Sequence, residues 1–498
     1  MVMSKRWAAA EKVYLLRPGA VLRDVTRDDL RPDLVAGLTV AVVVLPQAIA
    51  YAMIAELTPQ MGLYAAVVAS IIAGLWGSSR HLNTGPTNAA SLLVLSSLLT
   101  VAPPGTPQFL AAAGYMAIIV GLIKILMGLL RMGVLVNFVS DSVIVGFTAG
   151  AGLLISFNQL RHLIGVTFPS SPELGETVKS LILHFDETHW PTLAVGLGTM
   201  AVIIVIAYFR PRWPAALLGM VAASAVTGVF GLADRGVAVL GALPRSLPPL
   251  ADLPVLDFDL IWNLTPGALA IAAIGLVEAI SISRTIAAQT GQRLDSNQEF
   301  IGQGLASVGS GFFSGYPVSG SFTRTVLNHS AGGRTPMASV FMGLWVLAMM
   351  LVFAPLAVFL PRAALAGVLL VTAWKMVDRV EMKRVLHTSV GDSSIMLATL
   401  LATVLLPLEF AVLAGVLVSF ARYLIKSSTP GVNPVVPDEN FRYWIRSHGH
   451  TVCPQLGVIE IEGSLYFGAV AHVEEALRDN QERHPSQMFL LLRMHMVD

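Results

Sequence analysis

Charge is what this chain has least of. Asp, Glu, Lys and Arg together make up 13 % of its 498 residues, against about 25 % in an average soluble domain. So few charges cannot dress a water-facing surface of this size. The hydrophobic fraction is 55 % and the mean hydropathy +0.70, the composition of a polytopic membrane protein. A net charge of +1 supplies no basic surface for nucleic acid. The single cysteine, Cys453, excludes an intrachain disulfide, and no Cys/His spacing suits a metal or another cofactor. Residues 1–33 lack the apolar stretch of a cleavable signal peptide. They mix Lys, Arg, Asp and Glu and read as a cytoplasmic lead-in.

What is abundant is apolar sequence in runs. They predict an all-α membrane protein with about fourteen segments. These lie near 34–54, 61–77, 86–101, 109–130, 134–157, 192–209, 213–232, 266–287, 299–314, 320–330, 337–359, 363–377, 392–407 and 409–425. The third and tenth are the most polar, and each opens after a proline. Two longer polar connections, 158–191 and 233–262, are placed outside the bilayer.

Lys and Arg favour cytoplasmic loops. With the N-terminus inside, the even-numbered segments should end in basic residues. They do, at Arg80, Arg131, Arg210, Arg212, Arg284, Arg293, Arg334, Lys375, Arg379, Lys383, Arg384, Arg422 and Lys426. The opposite ends carry only Arg161, Lys179, Arg235, Arg245 and Arg362. Both termini are therefore expected in the cytoplasm, with the chain in the plasma (bacterial inner) membrane.

Beyond about residue 430 the pattern changes. Val458 to Gly463 alternates like a strand, Ala469 to Asn480 has helical spacing, and Met488 to Met494 reads as a buried strand. This is the beginning of a small α/β domain. It reaches Asp498 with about three strands and one helix, too few to bury a core alone; further chain or a partner is expected to complete it.

Two halves of the membrane region carry matching irregularities. In the first, Leu45-Pro46-Gln47 is expected to interrupt segment 1, and Asn83-Thr84-Gly85-Pro86-Thr87-Asn88 opens segment 3. In the second, Glu278 is expected to interrupt segment 8, and Tyr316-Pro317-Val318-Ser319-Gly320-Ser321 opens segment 10. Gln47 to Thr87 is 40 residues and Glu278 to Phe322 is 44. Segment 8 follows segment 1 by seven, an odd number, so the halves are inverted. Such paired irregularities point to a transporter's midplane site. Two half-helices meeting there would aim both positive ends at one point, which suits an anion.

Each polar residue also has a plainer reading. Pro46 and Pro86 could be ordinary kinks. Gln47 and the hydroxyls of Ser319, Ser321 and Thr323 could be interhelical bonds worth about 0.6 kcal/mol each. Arg324 either faces the site or snorkels to the cytoplasmic face. Glu278 lies in an uncharged run, Ile271 to Ile280, and either exchanges a proton or serves as a structural partner. Lys124 and Glu409 read as snorkelling or anchoring near helix ends. Asp141 and Asp378 read as interfacial, and His81 and His329 as solvated or satisfied in packing.

At these residues the chain resembles the sulfate permease (SulP) family of anion transporters, to which prestin also belongs. The resemblance rests on Leu45-Pro46-Gln47-Ala48-Ile49-Ala50-Tyr51-Ala52, Gly62-Leu63-Tyr64 and Gly77-Ser78-Ser79-Arg80-His81. It rests also on Pro317 to Thr325, running on to Gly332-Gly333-Arg334-Thr335. It implies fourteen segments as two inverted repeats of seven, sorted into core and gate domains as in uracil permeases. The repeats would be 34–232 and 263–427, joined by the extracytoplasmic connection 233–262, with 428–498 a partial STAS domain. The family's anion site, carried over, would use Gln47 and Tyr51, then Thr87, Asn88 and Ala89, then Ser321, Phe322 and Thr323, with Arg324 following. Glu278 stands where sodium-using bicarbonate transporters resemble an Asp site; Glu leans toward a proton rather than sodium. The family also suggests a homodimer.

The expected function is secondary active transport of a small anion such as sulfate, bicarbonate or a fumarate-like dicarboxylate, by proton symport, with an elevator or rocking core domain. The alternatives are an uncoupled anion exchanger or channel, a nucleobase permease on the same fold, and a non-transporting anion sensor. An enzyme is not expected: the membrane region holds no nucleophile elbow, metal cluster or His–carboxylate constellation.

Overall fold

The computed structural model describes residues 17–133, 140–168, 174–211, 213–243, 245–253, 258–438, 442–446, 453–463, 465 and 468–497. Residues 1–16 of the expected lead-in and Arg212 fall outside that set, as do the side chains of Glu409 and Lys426. The chain divides into two compact units, Met1–Gly415 and Val416–Asp498.

In the first unit nearly every described element is a helix, because a helix satisfies its own backbone where lipid cannot. A short α1, Arg17–Asp24, leads into α2 (Arg27–Ile54) and α3 (Pro59–Trp76). After a two-residue strand β1 (Thr84–Gly85) come α4 (Asn88–Leu99), α5 (Pro107–Leu129), α6 (Asp141–Ile164) and the small α7 (Leu174–Leu183). Next are α8 (Trp190–Phe209), α9 (Ala215–Val229), α10 (Phe258–Thr290) and α11 (Ser296–Phe312). A second two-residue strand, β2 (Ser319–Gly320), precedes α12 (Phe322–Ser330) and α13 (Met337–Phe353). Then follow α14 (Arg362–Met376), the polar α15 (Arg379–Thr388) and α16 (Val390–Leu405); α17 (Leu408–Ser428) includes the boundary between the units.

Over its described residues each of the predicted apolar runs falls on a helix; residues 134–139, the start of the fifth run, lie outside the described set. Among the described residues seven helices are long and apolar enough to cross a membrane. Two others are conspicuously short. At 1.5 Å per residue, α4 reaches about 18 Å and α12 about 13 Å, against a hydrocarbon core of about 30 Å. They are half-helices, and the chain before each is not helical.

Two expected interruptions are absent. Pro46 lies inside α2, which continues through it and through Pro32. Glu278 lies inside α10, unbroken from Phe258 to Thr290. A proline forfeits one helical hydrogen bond, and packed neighbours can hold the turn. Glu278 is unusual for its charge, but glutamate is a good helix former and gives the backbone no reason to break.

The helices sort into two sets by packing. In one, α5 packs on α11, α13 on α2 and α3, α11 on α3, and α10 on α4 and α5. In the other, α14 and α16 pack on α6, and α8 packs on α14 and α9. The sets meet through α2 against α9 and α14, and through α4 against α6.

The tightest crossing, α5 on α11, depends on two glycines. A Cβ on Gly121 would stand 2.5 Å from the Gly304 carbonyl oxygen, and one on Gly304 would stand 2.6 Å from the Gly121 oxygen. Backbone meets backbone, so nothing can give way. Gly304→Val is expected to destabilise the protein by about 1–3 kcal/mol through overpacking, read as a lower melting temperature in detergent. An unchanged melting temperature would refute this packing.

The second unit holds a four-stranded sheet in the order β4-β3-β5-β6, from β3 (Gly431–Pro437), β4 (Trp444–Arg446), β5 (Leu456–Gly463) and β6 (Phe489–Val497). β3 runs antiparallel to β4 and β5, and β5 runs parallel to β6. The parallel pair requires a crossover, supplied by α18 (Val470–Arg483). Its small core is Ile459, Ile461 and Val473.

Candidate functional site

The two half-helices are held together by the short strands before them. β1 and β2 pair antiparallel, Thr84 opposite Gly320 and Gly85 opposite Ser319. The Ser321 N–H donates to the Asn83 carbonyl at 3.0 Å. The Asn83 N–H donates to Thr325 Oγ1 at 3.0 Å, and Asn328 Nδ2 donates to the His81 carbonyl at 3.0 Å. Two irregular stretches, over 200 residues apart, thus satisfy each other's backbone at a depth where water cannot.

That pairing points both half-helices at one cavity of about 550 Å³. Thr87 caps α4, its hydroxyl accepting from the Ala90 N–H. Ser321 occupies the same position on α12 but its side chain caps no first-turn N–H. Gln47 and Tyr51 from α2, Thr87 and Asn88 from α4, Glu278 from α10 and Ser321, Phe322 and Thr323 from α12 all line the cavity. The buried Gln47 Oε1 has no hydrogen-bond partner among the described residues. The wall opposite comes from the second set of helices, with Thr148, Ile203, Val371, Thr372 and Lys375.

Two expected site residues are not in that lining. Ala89 is buried, its N–H taken by Asn88 Oδ1 at 2.9 Å. Arg324 is 1 % exposed and lies behind the strand pair, where Nη1 donates to the Pro86 carbonyl at 2.8 Å. Its Nε and Nη2 have no partner among the described residues, so its charge is spent on no carboxylate there. It does not snorkel.

Glu278 accepts a hydrogen bond from Ser319 Oγ at 3.2 Å; the same hydroxyl is 3.3 Å from the Gly275 carbonyl. Lys124 overturns the snorkelling expectation. Its side chain is fully buried and Nζ donates to the Val318 carbonyl at 2.9 Å. The reason is its partner: Val318 belongs to the irregular stretch before α12, which holds a carbonyl free of any helix.

Sequence reasoning passed over several other groups. Glu299, at the start of α11, is buried and accepts from the N–H groups of Ser78 at 2.8 Å and Ser79 at 2.9 Å. It anchors the chain that runs into β1. Lys375, which in the sequence marks membrane orientation, also lines the cavity. An acid in the first turn of an apolar segment is the one available signal for Glu299. His81 is buried, not solvated: its Nε2 is 3.0 Å from the Gly333 carbonyl oxygen, and its Nδ1 has no hydrogen-bond partner among the described residues.

The cavity extends to the face where α6 begins and α8 and α14 end, since its lining includes Ile144, Ala207, Pro211 and Met376. At the opposite face an ion pair joins the two helix sets. Glu56, just past α2, pairs with Arg161 near the end of α6. His162 and Arg362 lie beside them around a separate hollow of about 380 Å³.

Comparison with known proteins gives a consistent result. The model of the Sulfate permease family matches residues 30–399. A putative sulfate transporter of Bacillus subtilis, YvdB, is 32 % identical over 471 residues, covering 94 % of this chain and 86 % of that one. The murine Slc26a9 anion transporter, solved in an inward-facing state, has a TM-score of 0.84 at 21 % identity over 98 % of this chain and 85 % of its own; at that identity the likeness is one of fold. The transmembrane domain of a cyanobacterium bicarbonate transporter, BicA, has a TM-score of 0.71 at 26 % identity, covering 79 % of this chain and 98 % of that one.

Proposed function

This chain belongs to the sulfate permease family, and from that premise we propose that it is a secondary transporter moving a small oxyanion, sulfate foremost, together with a proton. The observation that carries the reading is the pair of half-helix N-termini opening on one cavity. Each N-terminus favours an anion by about 0.3–1 kcal/mol, up to about 2 when partly buried. First-turn amides of α12, which the Ser321 side chain leaves uncapped, add charge-assisted hydrogen bonds of about 1.5–3 kcal/mol each. Desolvating the anion costs several kcal/mol. The remainder suits an affinity near the millimolar level, about −4 kcal/mol, weak enough for release. At about 30 Å³ of liquid per water, 550 Å³ admits an anion with much of its hydration, so bicarbonate and small dicarboxylates fit as well. The bicarbonate transporter among the similar structures supports keeping it as the second candidate.

In this reading Gln47, Tyr51, Thr87, Asn88, Ser321, Phe322 and Thr323 form the anion site, Arg324 supplies a positive field from behind, and Glu278 carries the coupling proton. The fourteen runs span the membrane as two inverted repeats of seven, 34–232 and 263–427. Residues 428–498 belong to a STAS domain, both termini are on the cytoplasmic side of the plasma (inner) membrane, and the transporter is a homodimer. The cavity then faces the cytoplasm, the Glu56–Arg161 pair closes the outer side, and movement of one helix set against the other exchanges the two.

Uptake of labelled sulfate into proteoliposomes, competed by unlabelled sulfate, bicarbonate, fumarate or uracil, tests the substrate class. Competition by anions and not by uracil is expected. Competition by uracil alone would replace this reading with a nucleobase permease, and saturable binding without uptake would replace it with a sensor.

A further inference from the structure

Lys124 has no task in the site as described. It lies on α5, 0 % exposed, and is not in the cavity lining. Burying an ammonium costs several kcal/mol after relaxation. Packing alone would be served as well by methionine, which is similarly long and carries no charge.

Its ammonium contacts one carbonyl, and further oxygens gather around the neighbouring Ser319 hydroxyl. Nζ is 2.9 Å from the Val318 carbonyl oxygen. A Cβ built on Gly275 would stand 3.1 Å from Nζ and 3.2 Å from Ser319 Oγ, so ammonium and hydroxyl both lie against Gly275. The Ser319 hydroxyl reaches the Gly275 carbonyl at 3.3 Å and Glu278 Oε2 at 3.2 Å. Lys124 and Glu278 form no ion pair among the described residues; the Ser319 hydroxyl stands between them in the chain of contacts. Backbone carbonyls, a hydroxyl and one carboxylate are the hard oxygen donors that an unpolarisable metal cation takes. They come from α10 and from the non-helical chain before α12, where carbonyls are free to point inward.

We infer that the Lys124 ammonium is a built-in cation occupying the place an alkali ion would take beside Glu278, and that it makes transport indifferent to sodium. The inference rests on Glu278 as the coupling acid for its effect on transport, but not for its effect on sodium binding. A tethered charge cannot leave with the substrate, so the only ion free to be exchanged at Glu278 is the proton.

The test replaces Lys124 and supplies sodium. Purified Lys124→Ala is expected to bind radiolabelled sodium saturably and to melt at a higher temperature in sodium chloride than in choline chloride. Its sulfate uptake should become at least tenfold faster with external sodium, and propylammonium, the severed part of the side chain, should restore sodium-independent uptake. Wild type should show no saturable sodium binding and no sodium effect on melting or uptake. Lys124→Gln is the second variant if the alanine form does not fold. Saturable sodium binding by the wild type overturns the inference, and this holds whether or not either variant folds. So does a folded variant that transports at the wild-type rate without sodium. If Glu278→Gln leaves proton-driven uptake intact, the coupling role of Glu278 fails while the sodium-binding result keeps its meaning.

Discussion

Glu278→Gln is expected to remove the response of anion uptake to a proton gradient, cutting the gradient-driven initial rate at least tenfold, while anion-for-anion exchange persists. Glutamine keeps the shape and an oxygen for the Ser319 hydroxyl, now 3.2 Å from Glu278 Oε2, so α10 has no reason to repack. What it loses is the capacity to take and give a proton. Wild-type uptake should rise as the outside is acidified, because a protonated Glu278 crosses with the anion and discharges inside. The variant should be flat across the same range. Initial rates in proteoliposomes with an imposed pH gradient read this directly. A variant that still answers the gradient would move the coupling proton to another group.

The second large effect is at Ser321. Ser321→Trp should abolish uptake, whereas Arg324→Ala should raise the half-saturation concentration about tenfold, about 1.4 kcal/mol, with a smaller effect on maximal rate. The ordering follows from where the two side chains are. Ser321 lines the cavity at the N-terminus of α12 and caps none of its amides, so an indole there fills the space the anion needs. Arg324 is 1 % exposed, is not in the cavity lining and donates to the Pro86 carbonyl. Its charge acts across intervening backbone, where a field weakens but does not vanish. Concentration dependence of uptake for both variants separates blockage from weakened binding. The reverse ordering, with Arg324 indispensable and Ser321 tolerant, would place the anion on the guanidinium.

The half-helices were legible because their signal is chemical. Asn83 to Asn88 and Gly315 to Thr325 put Gly, Pro and hydroxyls into apolar surroundings, and the chain has to leave the helix there. The β1–β2 pairing that joins them is two residues long on each side, too short for any periodicity. Pro46 and Glu278 misled in the same way: each is an oddity in an apolar run, but tertiary packing carries α2 and α10 through both. Lys124 was hidden by its position. It falls near the end of a predicted segment, where lysines commonly snorkel, and its carbonyl partner is 194 residues away in sequence. Contacts of that span are set by topology, which local sequence does not carry. Lys375 was obscured similarly, since a basic residue at a helix end serves an orientation argument whether or not a cavity opens beside it.

The central claim is that an anion sits between the N-termini of α4 and α12. Selenate, a heavier stand-in for sulfate, makes that position directly visible by anomalous diffraction from crystals of the full chain. The account predicts one dominant selenium peak between the two half-helix N-termini, within hydrogen-bonding reach of the first-turn amides of α12 and beside Gln47, Thr87 and Ser321. A dominant peak against Arg161, His162 and Arg362 at the opposite face, with none between the half-helices, would contradict it.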